Sequence, residues 1–280
     1  MKTQMTRRDV LGAAAALAGS ATSSAAPKME NAGFKLGVAS YSLRKLSRAE
    51  AIRALEKLKV NYVNIKEMHA PLTSTPSELA QARKDFESAG IQIIGVGNIS
   101  FAKDDEGEMR RNFEYAKALG APVIVMAPTA VTAPKIEKFV KEYNIKAAIH
   151  NHGPEDKHFP APSDVLKVVK SLDPRMGLCI DIGHTVRTGA DVLTAIKDTG
   201  SRLHDMHVKD LRNLMDKDSQ VAVGDGAMPI PEIFKLLHKM GYKGGVMLEY
   251  EIDAANPVPG MEKSFAYMRR VLAEMSLKSS

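Results

Sequence analysis

Residues 177–210 read GLCIDIGHTVRTGADVLTAIKDTGSRLHDMHVKD. A short β-type apolar run, Gly177 to Asp181, leads into a segment with apolar residues at helical spacing that stops at Gly200, and a second β-type run follows from Leu203 to Lys209. The pattern is strand, helix, strand. Both runs end in groups too polar for a core: Asp181 and then His184 on the first, His207 and Lys209 on the second.

The same alternation extends in both directions. Further candidate strands are Leu36 to Tyr41, Tyr62 to Lys66, Ile91 to Gly97, Pro122 to Ala127, Lys146 to His150 and Gly245 to Tyr250, each followed by a helical segment. Ser47 with Glu50 three residues on predicts a capped helix start, and a helix over Ser77 to Ser88 runs up to Ala89-Gly90. Asp104, Ser163 and Pro229 are further start signals, and Gly120, Gly200 and Gly241 are stops. Eight consecutive βα units without a long linker predict an α/β fold, a single (β/α)8 TIM barrel, rather than an open doubly wound sheet. No Gly-rich nucleotide fingerprint follows the first strand. Gly95-Val96-Gly97 lacks the third glycine of such a fingerprint and reads as tight packing where a strand ends.

With 280 residues and 44% apolar content, the chain can bury one large core. The 39 basic and 33 acidic side chains are interleaved, so charge gives no indication of nucleic-acid binding. The single cysteine, Cys179, sits in an apolar run as a small buried hydrophobe and has no intramolecular disulfide partner.

The first 26 residues differ from the rest. Arg7-Arg8 precedes a short Ala/Gly-rich apolar stretch, Gly12 to Gly19, and then Ser20 to Ala26, which reads as an export signal of twin-arginine type. The stretch is too short to span a membrane. Cleavage near Ala25 or Ala26 removes Lys2, Arg7, Arg8 and Asp9, lowering the net charge from +6 to +4. The expectation is a signal peptide over 1–26 and a catalytic barrel over 27–280, with passage through the twin-arginine machinery to the periplasm or beyond. No membrane partner is expected after processing, and a homo-oligomer is allowed.

In a barrel of this kind, reactive groups collect at the C-terminal ends of the strands. Nearly every strand supplies one: Lys66-Glu67 on the second, His150-Asn151-His152 on the fifth, Asp181 and His184 on the sixth, His207 and Lys209 on the seventh, Glu249 and Glu251 on the eighth. His204 is an odd step from His207, so it points to the other face and reads as structural. Two imidazoles and two carboxylates converging from different strands suit one divalent metal of borderline softness, Mn2+ first, with Co2+, Fe2+ or Zn2+ as alternatives. Without cysteine in the set, a closed structural zinc site is disfavoured.

Four segments together, Ile149 to Gly153 (IHNHG), Gly177 to His184 (GLCIDIGH), His207 to Asp210 (HVKD) and Leu248 to Glu251 (LEYE), resemble the xylose-isomerase-like barrel superfamily. That group includes sugar isomerases and epimerases, inosose dehydratase, hydroxypyruvate isomerase, an apurinic endonuclease and lyases of 3-keto-glycosides. The resemblance implies Asp181, His207 and Glu249 as metal ligands and His184 and Glu251 on the substrate side. Ketose epimerases of the group carry a glutamate where His150 stands, so His150 is the expected fourth ligand, with His152 the alternative. The departure weakens a symmetric, two-carboxylate epimerase.

The resulting expectation is a metal-dependent sugar isomerase or epimerase acting on a non-phosphorylated sugar through proton abstraction beside a carbonyl and an enediolate. Glu249 is the expected base, with Lys66, His152 or Lys209 as acid. A lyase that expels the aglycone of a 3-keto-glycoside is the alternative, and a periplasmic sugar-binding module the second. A DNA-repair nuclease fits poorly with export. The turn-rich segment from Asn256 to Gly260 is expected to connect, or to cover the mouth.

Overall fold

The computed structural model describes residues 33–277. The signal expected over 1–26 lies outside the described residues. The barrel strands are β1 (Lys35–Ala39), β2 (Tyr62–Ile65), β3 (Gln92–Phe101), β4 (Val123–Pro128), β5 (Lys146–His150), β6 (Met176–Asp181), β7 (Leu203–Val208) and β10 (Gly245–Leu248). All pair in parallel and close in the order β1-β10-β7-β6-β5-β4-β3-β2. A short antiparallel ribbon, β8 (Asp210–Leu211) with β9 (Gln220–Val221), interrupts the path from β7 to its helix. The outer layer is α1 (Arg48–Lys57), α2 (Pro76–Ser88), α3 (Glu106–Ala118), α4 (Ala133–Tyr143), α5 (Pro162–Val169), α6 (Ile182–Arg187), α7 (Val192–Thr199), α8 (Ile230–Lys239) and α9 (Val258–Leu277). This is the (β/α)8 barrel that the alternation predicts. None of the helices is long and apolar enough to cross a membrane, among the described residues.

Several start signals fall within a residue or two of the expected places. Ser47 and Glu50 form a capping box on α1, while α2 is capped one turn position earlier than expected, by Thr75 with Glu78. Asp105 rather than Asp104 caps α3, because its carboxylate is the one that reaches the Glu108 N–H. Pro162 rather than Ser163 opens α5, its missing N–H being an orphan at that position anyway.

Strand parity sorts the chemistry. On β6, Leu178 and Ile180 join the large apolar layer beneath the helices, while Cys179 and Asp181 take the other parity and face the barrel axis. The same rule sends Ala147 and Ile149 outward with His150 inward, and Met206 and Val208 outward with Asp205 and His207 inward. On β10, Val246 and Leu248 face out and Met247 faces in, so Glu249 follows on the inner parity just beyond the strand. Asp181 and His207 are paired in register, placing both at the same level of the C-terminal rim.

The expectation that β3 ends at Gly97 is corrected. The strand continues to Phe101 with a register irregularity between Val96 and Ile99. Gly97 has φ +119°, and a Cβ there would lie 2.0 Å from the Val125 carbonyl oxygen, so the glycine permits a bulge rather than a stop. That bulge presents Asn98 to the mouth.

Candidate metal and proton-transfer site at the C-terminal mouth

His150, Asp181, His207 and Glu249 come together, each offering one ligand atom within 4.8 Å of all the others, and all four are buried. His150 Nε2 lies 3.1 Å from His207 Nδ1, His207 Nδ1 lies 3.3 Å from Glu249 Oε1, and His150 Nε2 lies 3.7 Å from Asp181 Oδ2. Metal–ligand bonds of about 2.1 Å put neighbouring ligand atoms roughly 3.0–3.4 Å apart in octahedral or tetrahedral geometry. The donor spacing therefore fits a divalent ion, and so does the mixed nitrogen and oxygen chemistry. Burial and the neighbouring His207 push His150 well below the usual imidazole range, leaving its nitrogens as neutral donors.

Local structure fixes each donor. Asp181 is the N-cap of α6, and its Oδ1 accepts the His184 N–H at 2.8 Å, which leaves Oδ2 to face the cluster. Asn151 supports that strand end by accepting the Asp181 N–H and donating to Thr185. Cys179 lies one layer below, close enough to form a second ligand group with His150 and His207. Burial pushes its thiol up to about 12, so at neutral pH it is a neutral neighbour.

Lys209, two residues after His207 and so on its face of the strand, is not free. Its buried ammonium lies 3.0 Å from Asp181 Oδ2, 2.9 Å from Glu249 Oε2 and 3.2 Å from Glu251 Oε2. Burial works against its charge, yet Asp181 and Glu249 hold it firmly protonated. Burial likewise resists ionisation of Glu249, but Lys209 and His207 outweigh it and hold that carboxyl well below its usual range. Glu251, half-exposed at the rim, is shifted the other way by burial.

A cavity of about 300 Å³ sits above the cluster, lined by Tyr41, Lys66, Asn98, His150, His152, His184, Glu249 and Glu251 among others. Its flank carries an array that was only half legible in the sequence. Asp156 Oδ2 stands 3.2 Å from His152 Nδ1, and its Oδ1 accepts the N–H groups of His158 and Phe159. His152 Nε2 is 2.9 Å from Asn98 Nδ2, and the Lys66 ammonium donates to the Asn98 carbonyl and pairs with Glu67 at 3.2 Å. Asp156 was missed although it follows His152 by four residues in the same loop; Asn98 has no sequence signal beyond its glycine-flanked strand.

His184 also lines a second, adjoining cavity of about 390 Å³ with Arg187, Glu155 and Lys217. The Arg187 guanidinium is buried against His184 Nδ1 and Glu155. His204 faces away from the site, with Nε2 3.1 Å from the Pro174 carbonyl, as its odd step predicts. A larger cavity of about 740 Å³ lies at the opposite, N-terminal end of the barrel, lined by His204 and Asp205 among others and by none of the residues of the mouth.

Comparison with known proteins gives a consistent picture. The family described as xylose isomerase-like TIM barrel matches residues 52–271. An inosose dehydratase from Mesomycoplasma hyopneumoniae strain J is 27% identical over 268 residues, covering 69% of this chain and 88% of that protein. Other inosose dehydratases, such as that of Clostridium tetani at 26% identity, match over about half of their length (52%). Among solved structures, a D-tagatose 3-epimerase-like protein superimposes with a TM-score of 0.70 at 19% identity, covering 88% of this chain and all of that one (100%). The IOLI protein, solved with a bound zinc atom, superimposes with a TM-score of 0.71 at 17% identity, covering 86% of this chain and 99% of that one. At such identities the structural likeness speaks for the fold.

Proposed function

From the premise that this chain belongs to the xylose isomerase-like TIM barrel family, we propose that it is a divalent-metal-dependent lyase acting on a non-phosphorylated, polyhydroxylated ketone. It removes the proton beside the carbonyl and expels the β-oxygen substituent, as water or as the alcohol of a glycoside. The observation that carries this reading is the array Asp156–His152–Asn98–Lys66, which puts one imidazole and one ammonium on a single flank of the cavity. Inversion of a carbon centre calls for proton-transfer groups on both of its faces, whereas elimination between adjacent carbons is served by a base and an acid side by side. The inosose dehydratase relatives support the same reaction class.

His150, Asp181, His207 and Glu249 would hold the ion, which supplies Lewis-acid polarisation of the ketone and acidifies the neighbouring C–H. Asp156 accepts the Nδ1 proton of His152, a tautomer assigned from the hydrogen-bond network, and so leaves the lone pair on Nε2, which lines the cavity and exchanges its resting Asn98 Nδ2 donor at 2.9 Å for the substrate proton. His152 Nε2 takes the carbon-bound proton. Lys66 gives a proton to the departing oxygen as the C–O bond breaks. The base moves from the expected Glu249 to His152, because both Glu249 oxygens are engaged and its depressed pKa makes it a weak proton acceptor. Lys209 leaves the list of acids, since three carboxylates surround its three N–H donors. We further read residues 1–26 as a twin-arginine signal and the working protein as periplasmic, on the Arg7-Arg8 pair and the apolar stretch after it.

The test is to incubate Mn2+-loaded protein, in deuterated water, with an inosose and with a panel of 3-keto-glycosides. Elimination appears as an unsaturated ketone or a released alcohol. Deuterium entering ketoses or aldoses without elimination would replace the lyase by an isomerase or epimerase. No exchange with any of them would leave a binding module.

A further inference from the structure

Each carboxylate of the metal set has one oxygen held by a protein donor, and Asp181 Oδ2, the oxygen turned to the cluster, also lies 3.0 Å from Lys209. Asp181 Oδ1 is committed to the His184 N–H at 2.8 Å. Glu249 Oε1 faces the His207 imidazole at 3.3 Å, while Oε2 faces Lys209 at 2.9 Å. The lysine cannot easily turn away. It is 4% exposed at the side chain, its ammonium has carboxylates on three sides, and its stem lies over Gly183, where a Cβ would come within 2.6 Å of Lys209 Cγ. Gly183 thus leaves room for the lysine stem in the conformation that sets the ammonium between Asp181 and Glu249.

We propose that Lys209 is a positioning residue that holds Glu249 to one-oxygen ligation and so keeps coordination positions of the bound metal open for two oxygens of the substrate. A glutamate with a free second oxygen readily binds such an ion through both, and would fill a position that catalysis needs. The ammonium also offsets part of the charge of Asp181, Glu249 and Glu251, which leaves the ion less tightly held than three carboxylates alone would hold it. The inference rests on the reading of these residues as a metal site and goes beyond it in assigning Lys209 neither to ligation nor to proton transfer.

The experiment is Co2+ binding to the wild type and to Lys209→Met, followed by visible absorption, by chelator competition and, for folding, by circular dichroism. The d–d bands of the Lys209→Met form should weaken as coordination number rises, and its affinity should increase at least about tenfold on loss of the nearby positive charge. An unchanged spectrum, or affinity that stays equal or falls, overturns the proposal. Where the variant does not fold, X-ray absorption at the zinc edge of the wild-type holoprotein decides. Two imidazoles with one-oxygen carboxylates are expected, and the short metal–carbon distance of a two-oxygen carboxylate refutes Lys209's role. Wild-type protein that binds no divalent ion removes the metal reading itself, a result distinct from metal bound through both oxygens of Glu249.

Discussion

Asp156→Asn separates the orienting role of the dyad from its structural one. Asp156 uses Oδ1 to accept the N–H groups of His158 and Phe159 at 2.7 and 3.1 Å, and Oδ2 to face His152 Nδ1 at 3.2 Å. Asparagine keeps an oxygen for the two backbone donors, so the loop should hold its shape. The amide NH2 then stands where Oδ2 was and calls for a lone pair on Nδ1. That drives the imidazole proton to Nε2, the atom that must be a base. Placing a proton-transfer group in the wrong form forfeits its contribution, about 10²–10⁴ in rate, or roughly 2.7–5.5 kcal/mol of barrier. The measurement is the rate of α-deuterium exchange or of elimination on whichever keto-substrate the wild type accepts, with the urea midpoint as folding control. An Asp156→Asn protein within threefold of wild type, at an unchanged midpoint, would show that His152 is not the base or that Asp156 does not set its tautomer.

Other perturbations test separate parts. His150→Ala should lower the metal content of protein saturated with Mn2+, measured by elemental analysis; full stoichiometry would show that strand five supplies a different ligand. Gly97→Ala forces a Cβ to 2.0 Å from the Val125 carbonyl at φ +119°, and should cost more than about 3 kcal/mol in urea unfolding as well as displacing Asn98; a loss below 1 kcal/mol would mean the bulge is not tight. Burial and Lys146 lower His204 from 6.5 to about 4, so below pH 6.5 the unfolded chain takes up a proton that the folded chain refuses. Its contribution to stability is fully present above pH 6.5 and is lost as pH falls toward 4, by about 3 kcal/mol at most. Unfolding curves between pH 7 and 4.5 should flatten in His204→Gln relative to wild type, and identical slopes would contradict this.

The local rules that produced the barrel are short-range, which is why they were legible in a linear chain. Ser47 with Glu50, the alternation of Leu178, Cys179, Ile180 and Asp181, and the glycines after helices each act within a few residues. Parity along a strand also separates His207 from His204 without any knowledge of neighbours. Asp181, His207 and Glu249 could be named as donors from their strand-end places together with the family resemblance, and His150, with His152 as its alternative, from the resemblance; a closed barrel brings such strand ends to one rim.

What only the tertiary structure decided is who faces whom across that rim. Lys209 has the right parity for a site residue, yet its role follows from Asp181, Glu249 and Glu251 surrounding it, contributed by other strands and loops. Asn98 enters through a bulge that depends on Val125 of the next strand, and Asp156 matters because its loop folds back under His152. A carboxylate's basicity and an ammonium's freedom are set by charges a few ångströms away in space. Those neighbours are separated in sequence by tens of residues, so the sequence determines the scaffold and the inventory of reactive groups, and three-dimensional closure determines which of them remain free to act.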